Sequence, residues 1–212
     1  MFTKEPYPYP INKTKPLPNP TPMNSKNFHL TKFHFIKHGE QTIQDIISLC
    51  TKMTEQEFFY KSEQWSIAEN LEHLSLTLHK SWLGVMMPKI FLRLKFGKPV
   101  RESFMFEDFN QLYHQKLDEG YELDKKYEPI VKSGKGVKEK LIARFETMST
   151  RYLDQLKYYW EEENIDLYQV PHPLLGMISI RELVYFNIIH NTLHYKTMRM
   201  RKSEAVEFSV YD

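Results

Sequence analysis

Two Ser-x-x-Glu boxes, Ser66-Ile67-Ala68-Glu69 and Ser179-Ile180-Arg181-Glu182, constrain this chain more than anything else in it. In such a box the serine side chain accepts from the amide three residues on, and the glutamate reaches back to the serine's own amide. Two otherwise orphaned donors at a helix start are satisfied together. Each box opens a stretch with helical periodicity. After the first, Ile67, Leu71, Leu74 and Leu78 form one stripe, which ends near Trp82–Gly84. After the second, Leu183, Phe186, Asn187, His190 and His194 fall on one side when each residue advances about 100°.

Two further stretches keep the same period. Ile43, Ile46, Ile47, Cys50 and Met53 mark one buried face of a helix over about 39–53. Leu141, Ile142, Phe145, Met148, Tyr152, Leu153, Leu156, Tyr159 and Trp160 mark a longer one. The spacing therefore predicts helices near 39–53, 66–83, 137–162 and 179–200. Ser133-Gly134-Lys135-Gly136, before the third, is a polar turn rather than a phosphate loop, because it lacks the full Gly-x4-Gly-Lys-Ser/Thr pattern. Thr54–Gln64 reads as a polar connection with aromatics. Leu83–Phe96 is apolar and basic, and reads as a short helix broken at Pro88 that serves as a lid, a partner face or a membrane-surface segment. Phe104–Lys126, broken at Gly120, reads as a long crossover with some helix, and the Pro171-His172-Pro173 and Gly176 region as a loop. No strand pair is evident.

The expected fold is all-α: a four-helix bundle with a long crossover between its second and third helices, an architecture whose core commonly hosts metal sites. The expected organisation is a proline-rich extended arm over 1–36, a bundle domain over 37–205 and a tail over 206–212. Seven of the twelve prolines fall before Met23, where fixed φ and missing donors favour an extended chain.

Charge and cysteine usage narrow the function. A net charge of +2, from 29 basic and 27 acidic residues, is too balanced to argue for nucleic acid. Cys50 has no partner for an intramolecular disulfide and sits among aliphatic residues, so a buried apolar role in a reducing compartment is expected. No secretory signal is visible, and the most apolar stretch, Leu83–Leu94, is too short and too charged to span a bilayer. A cytoplasmic protein is the expectation.

The chemistry concentrates in histidines. His190 and His194 lie four apart on one helix face, so both imidazoles can reach one divalent ion. The ordinary alternative is a pair of core histidines bonded to their neighbours, since unpaired buried polar groups are costly. On the second helix, His73 lies far round from the apolar stripe, beside Asn70, Leu76 and Thr77. Periodicity places it on a surface or in a groove and does not choose it over His79. His172 is expected to be structural or solvent-facing, with a substrate contact as the lesser option. Glu69 is first a capping residue. His29, His34, His38, His79 and His114 show no clear metal spacing.

Trp65-Ser66-Ile67-Ala68-Glu69-Asn70-Leu71-Glu72-His73-Leu74 resembles the signature opening the second helix of the DinB-like family, with a histidine eight residues after the tryptophan. The stretch from His172 through Ser179-Ile180-Arg181-Glu182 to His190-Asn191-Thr192-Leu193-His194 resembles that family's final loop and helix. The two motifs occur in the expected order, and the resemblance covers roughly residues 37–200. The arm and the basic stretch 83–96 depart from it. The resemblance implies a four-helix bundle holding a divalent ion, nickel or zinc, through three histidines that match His73, His190 and His194. Some such proteins are transferases of low-molecular-weight thiols such as bacillithiol, mycothiol or glutathione; others have no known activity, and homodimers are frequent. The function expected here is that of a metal-dependent transferase or hydrolase acting on a small molecule, with a thiol S-transferase as its narrower form. The alternative is a non-catalytic metal-binding or protein-interaction bundle. An open fourth position on the ion favours an enzyme; a fourth protein ligand favours a structural site.

Overall fold

The computed structural model describes residues 29–120 and 125–210. Its elements, in order, are α1 (Lys32–Thr51), α2 (Glu55–Phe59), α3 (Ile67–Met86), α4 (Lys89–Phe96), α5 (Phe106–Asp118), a single 3-10 turn at Lys125–Tyr127, α6 (Val137–Tyr159), β1 (Gln169–His172), β2 (Gly176–Ser179) and α7 (Ile180–Val210). The four longest helices close a ring: α3 packs on α6, α6 on α1, α1 on α7 and α7 on α3. A long crossover over residues 87–136 carries α4 and α5, and α5 packs on α7. Among the described residues the fold is all-α apart from one small hairpin.

Both boxes do what their spelling implies. Ser66 Oγ accepts from the Glu69 amide at 3.1 Å, and Glu69 returns a carboxylate to the Ser66 amide at 2.8 Å. Ser179 and Glu182 repeat the arrangement at 3.1 and 2.9 Å. Leu71, Leu74 and Leu78 are fully buried, each worth about 1.5–3 kcal/mol relative to exposure. Glu182 also accepts Arg101 at 2.5 and 3.1 Å and the Phe104 amide at 2.9 Å, tying the crossover to the start of α7. Next to it Arg181, itself buried, grips Asp166 and Glu162 and donates to the carbonyl of Leu30.

Several expectations need correction. Residues 169–179, read as a loop, form an antiparallel hairpin pairing Gln169 with Ser179 and Val170 with Ile178. Each strand has four residues and the first contains Pro171, which is tolerated because only one of its edges is paired. The polar connection after α1 contains α2, opened by a third box of Thr54 and Glu57. The boundary at residue 36 falls inside α1, which starts at its Thr31 cap and buries Phe35 and Ile36. The part of the proposed arm before residue 29 lies outside the described residues. The boundary at residue 206 likewise falls inside α7, which continues to Val210. Tyr159, assigned to the inner stripe of the third long helix, is 65% exposed. Among the described residues no helix is long and apolar enough to cross a membrane.

Candidate metal centre

From Ile180 to Asn191 every residue of α7 is buried, as is every residue of α3 from Ile67 to Ser75. In a helix enclosed on all sides, most polar side chains find internal partners. His73 of α3 meets His190 of α7. His73 Nε2 lies 3.1 Å from His190 Nε2, and the His73 ring centroid is 5.1 Å from that of His190 and 4.9 Å from that of His194. One nitrogen from each of the three rings falls within 4.8 Å of the others.

His73 is therefore brought to the pair, and His79 is not: it stacks beside Trp82 instead. Periodicity put His73 on an outer flank, and that flank is covered by the crossover. His73 Nδ1–H donates to the carbonyl of Tyr127 at 2.8 Å. His194 Nδ1–H donates to Asn70 Oδ1 at 2.7 Å, and the Asn70 amide donates in turn to the carbonyls of Ser66 and Trp65 at 2.8 and 3.3 Å. The amide nitrogen is thereby fixed as the donor end of Asn70, its oxygen as the acceptor and the ring proton on Nδ1 of His194. For both His73 and His194 the Nε2 lone pair is left turned inward. His190 Nδ1 is buried with no hydrogen-bond partner; its ring is held by stacking on Phe186 at 5.0 Å.

Burial pushes the imidazolium form of His73 down to about 4, the bond to Tyr127 only partly opposing it. Burial, and then the neighbouring rings, hold His190 and His194 well below the ordinary histidine range. All three are neutral at pH 7, the form that binds a metal.

This donor set fits a divalent ion. Two of the three rings carry an outward N–H bond to an oxygen acceptor, as metal-bound histidines do. The 3.1 Å between two Nε2 atoms is close to the roughly 3.3 Å that ligands at 2.0–2.1 Å impose in a tetrahedral site. Among the described residues the group has three members, with no fourth His, Cys, Asp or Glu.

Beside two of the three histidines there is space. A cavity of about 280 Å³ opens between α3, the hairpin and α7, with His73 and His190 in its lining. Its other walls are mostly apolar and aromatic, including Met87, Phe96, Tyr113 and Phe186. A family model described as the DinB superfamily matches residues 38–198. The chain belongs to the DinB superfamily. No curated protein and no solved structure matches it. The DinB match spans both motifs and all three histidines.

His172, expected to be structural or solvent-facing with a substrate contact as the lesser option, also reaches the cavity. Its ring centroid lies 4.3 Å from that of Phe186 in a T-shaped contact. Its Nδ1 accepts the amides of Leu174 and Leu175, both at 3.3 Å, so the ring proton sits on Nε2. Burial holds the ring neutral, near pKa 4. Tyr127 was not identified at all, because it acts through its carbonyl, which every residue has. Asn70 had a signal: it lies three residues before His73 on the same flank. Glu69 stays in its cap and takes Lys61 at 2.6 Å.

Proposed function

We propose that this DinB-superfamily protein is a metal-dependent transferase or hydrolase acting on a small molecule, with His73, His190 and His194 holding a divalent nickel or zinc ion. The observation that carries this reading is the three-histidine group, two of whose members line a cavity, with no fourth His, Cys, Asp or Glu in the group among the described residues. Such an ion, when bound, lowers the pKa of water or a thiol at its open position and so makes a nucleophile at neutral pH.

The protein's own groups do the rest. Tyr127 and Asn70 fix the tautomers of His73 and His194 and keep their Nε2 lone pairs inward. Phe186 orients His190. The apolar walls exclude bulk water and favour the apolar part of a substrate. His172 offers an Nε2–H donor to a polar atom of that substrate. A low-molecular-weight thiol as the second substrate, a homodimer and a cytoplasmic location complete the proposal.

The test is the metal content of protein purified without a histidine tag, followed by zinc and nickel titration. One ion per chain is expected, and its loss in His73→Ala, His190→Ala and His194→Ala. A parent protein that carries no ion and takes none up refutes the reading. Thiol transfer to an electrophile by the loaded protein, absent from the three variants, tests the narrower form; light scattering tests the dimer.

A further inference from the structure

Helix α4 is built inside out for a helix on the surface of a globular domain. Such a helix normally turns its apolar stripe toward the core. Here one leucine, Leu92, is fully buried, while Ile90 and Leu94, on the opposite side, are 73% and 80% exposed. Phe91, at 48%, and Val100, at 96%, extend the exposed apolar surface. From Met86 to Arg101 the sequence has five cations and no Asp or Glu. Arg101 is committed to Glu182. Among the described residues, Lys89, Arg93, Lys95 and Lys98 form no ion pair. Lys89 lies over Trp160, Arg93 over Tyr168 and Lys95 over Phe91.

We propose that α4 seats the protein on an anionic lipid surface. At about 100° per residue, Lys89 and Arg93 flank the Ile90–Leu94 stripe on one side and Lys95 on the other. An apolar centre with cations on both flanks matches a bilayer of anionic headgroups over acyl chains. The charge pattern disfavours a second copy of the chain, because a symmetric contact would set like charges against each other. Met87, just before α4, and Phe96, its last residue, both line the cavity, so docking brings one cavity wall to the bilayer. The proposal is independent of metal binding.

The test uses the full chain with vesicles of phosphatidylcholine, with and without phosphatidylglycerol. At about 50 mM salt, binding to the anionic vesicles is expected to be at least about tenfold the tighter, and about 500 mM salt should remove most of the difference. The double variant Ile90→Ser/Leu94→Ser replaces exposed side chains, so it should keep the parent's melting temperature and lose at least about tenfold in binding. Lys89→Gln/Arg93→Gln/Lys95→Gln should abolish the preference for anionic vesicles. Absence of binding, equal binding to both vesicles, or a double variant that binds like the parent would overturn the proposal. So would tighter binding to poly-glutamate than to anionic vesicles, which would indicate an acidic protein partner. A parent oligomer that the double variant converts to monomer would also overturn it, since α4 would then join two copies.

Discussion

Replacing Asn70 separates the support of a ligand from the ligand itself. Its oxygen accepts His194 Nδ1–H at 2.7 Å, and its amide closes two bonds to the carbonyls of Trp65 and Ser66. In Asn70→Ala the ring N–H of His194 loses its acceptor inside a site where His194 is only 5% exposed. Removing such a partner typically costs about 10–100-fold in metal affinity, or about 1.4–2.7 kcal/mol. The metal-free protein should also lose about 2–4 kcal/mol, from three broken hydrogen bonds and the unsatisfied groups left behind. Asn70→Asp is the informative partner: it keeps an acceptor for His194 and strengthens it with a charge, yet lacks the amide donor. Its metal affinity should equal or exceed the parent's, while its stability falls as in the alanine variant. Zinc competition against a chromophoric chelator reads the first quantity, and urea unfolding of metal-free protein the second. Equal weakening of affinity in both variants, or an alanine variant within about twofold of the parent, would refute the assignment of Asn70 as the orienting acceptor.

Three other outcomes are expected. His79→Ala should keep the parent's zinc affinity, whereas His73→Ala should lose it; the reverse result in metal analysis would misplace the site. Although burial opposes it, hydrogen bonds from Arg181 and Ser103 hold the Asp166 carboxyl below its ordinary value. A carboxyl shifted down on folding stabilises above its unfolded value of about 3.9 and loses that contribution as pH falls through the folded one. The melting temperature of the parent should therefore drop more steeply below about pH 4 than that of Asp166→Asn, and parallel acid profiles would refute the link. Burial pushes the Cys50 thiol up to about 12, so at pH 8 it should react with a disulfide reagent only as fast as the protein unfolds. Rapid labelling of native protein would contradict its burial.

What was legible in the sequence was local. Ser66 with Glu69 and Ser179 with Glu182 announce two helix starts through side chains that bond within three residues. His190 and His194 share one face whatever surrounds it. What escaped depends on distant segments. His73 looks peripheral because the apolar stripe of α3 marks only one packed face. The opposite flank is covered by the crossover, and nothing in residues 66–78 records that the Tyr127 carbonyl will arrive there. The hairpin escaped because four-residue strands carry too little alternation, and Pro171 argues against a strand wherever both edges are paired. The start of α1 escaped because the aromatic and basic residues around Phe33–His38 show no clean stripe, although Thr31 caps them and Phe35 and Ile36 enter the core.

The 117 positions between His73 and His190 set a clock on assembly. At about 5–20 residues per second, a ribosome takes roughly 6–23 s to travel from the first of these codons to the second. During that interval the nascent chain owns a single imidazole of the eventual group. Bundle segments that emerge early must therefore pair through Ile43, Leu71, Leu74 and their neighbours, with no ion to template them. On the proposed reading, loading would be a terminal event, open only to a chain whose last helix has left the exit tunnel, and cells starved of the ion would accumulate folded, empty protein rather than unfolded chain.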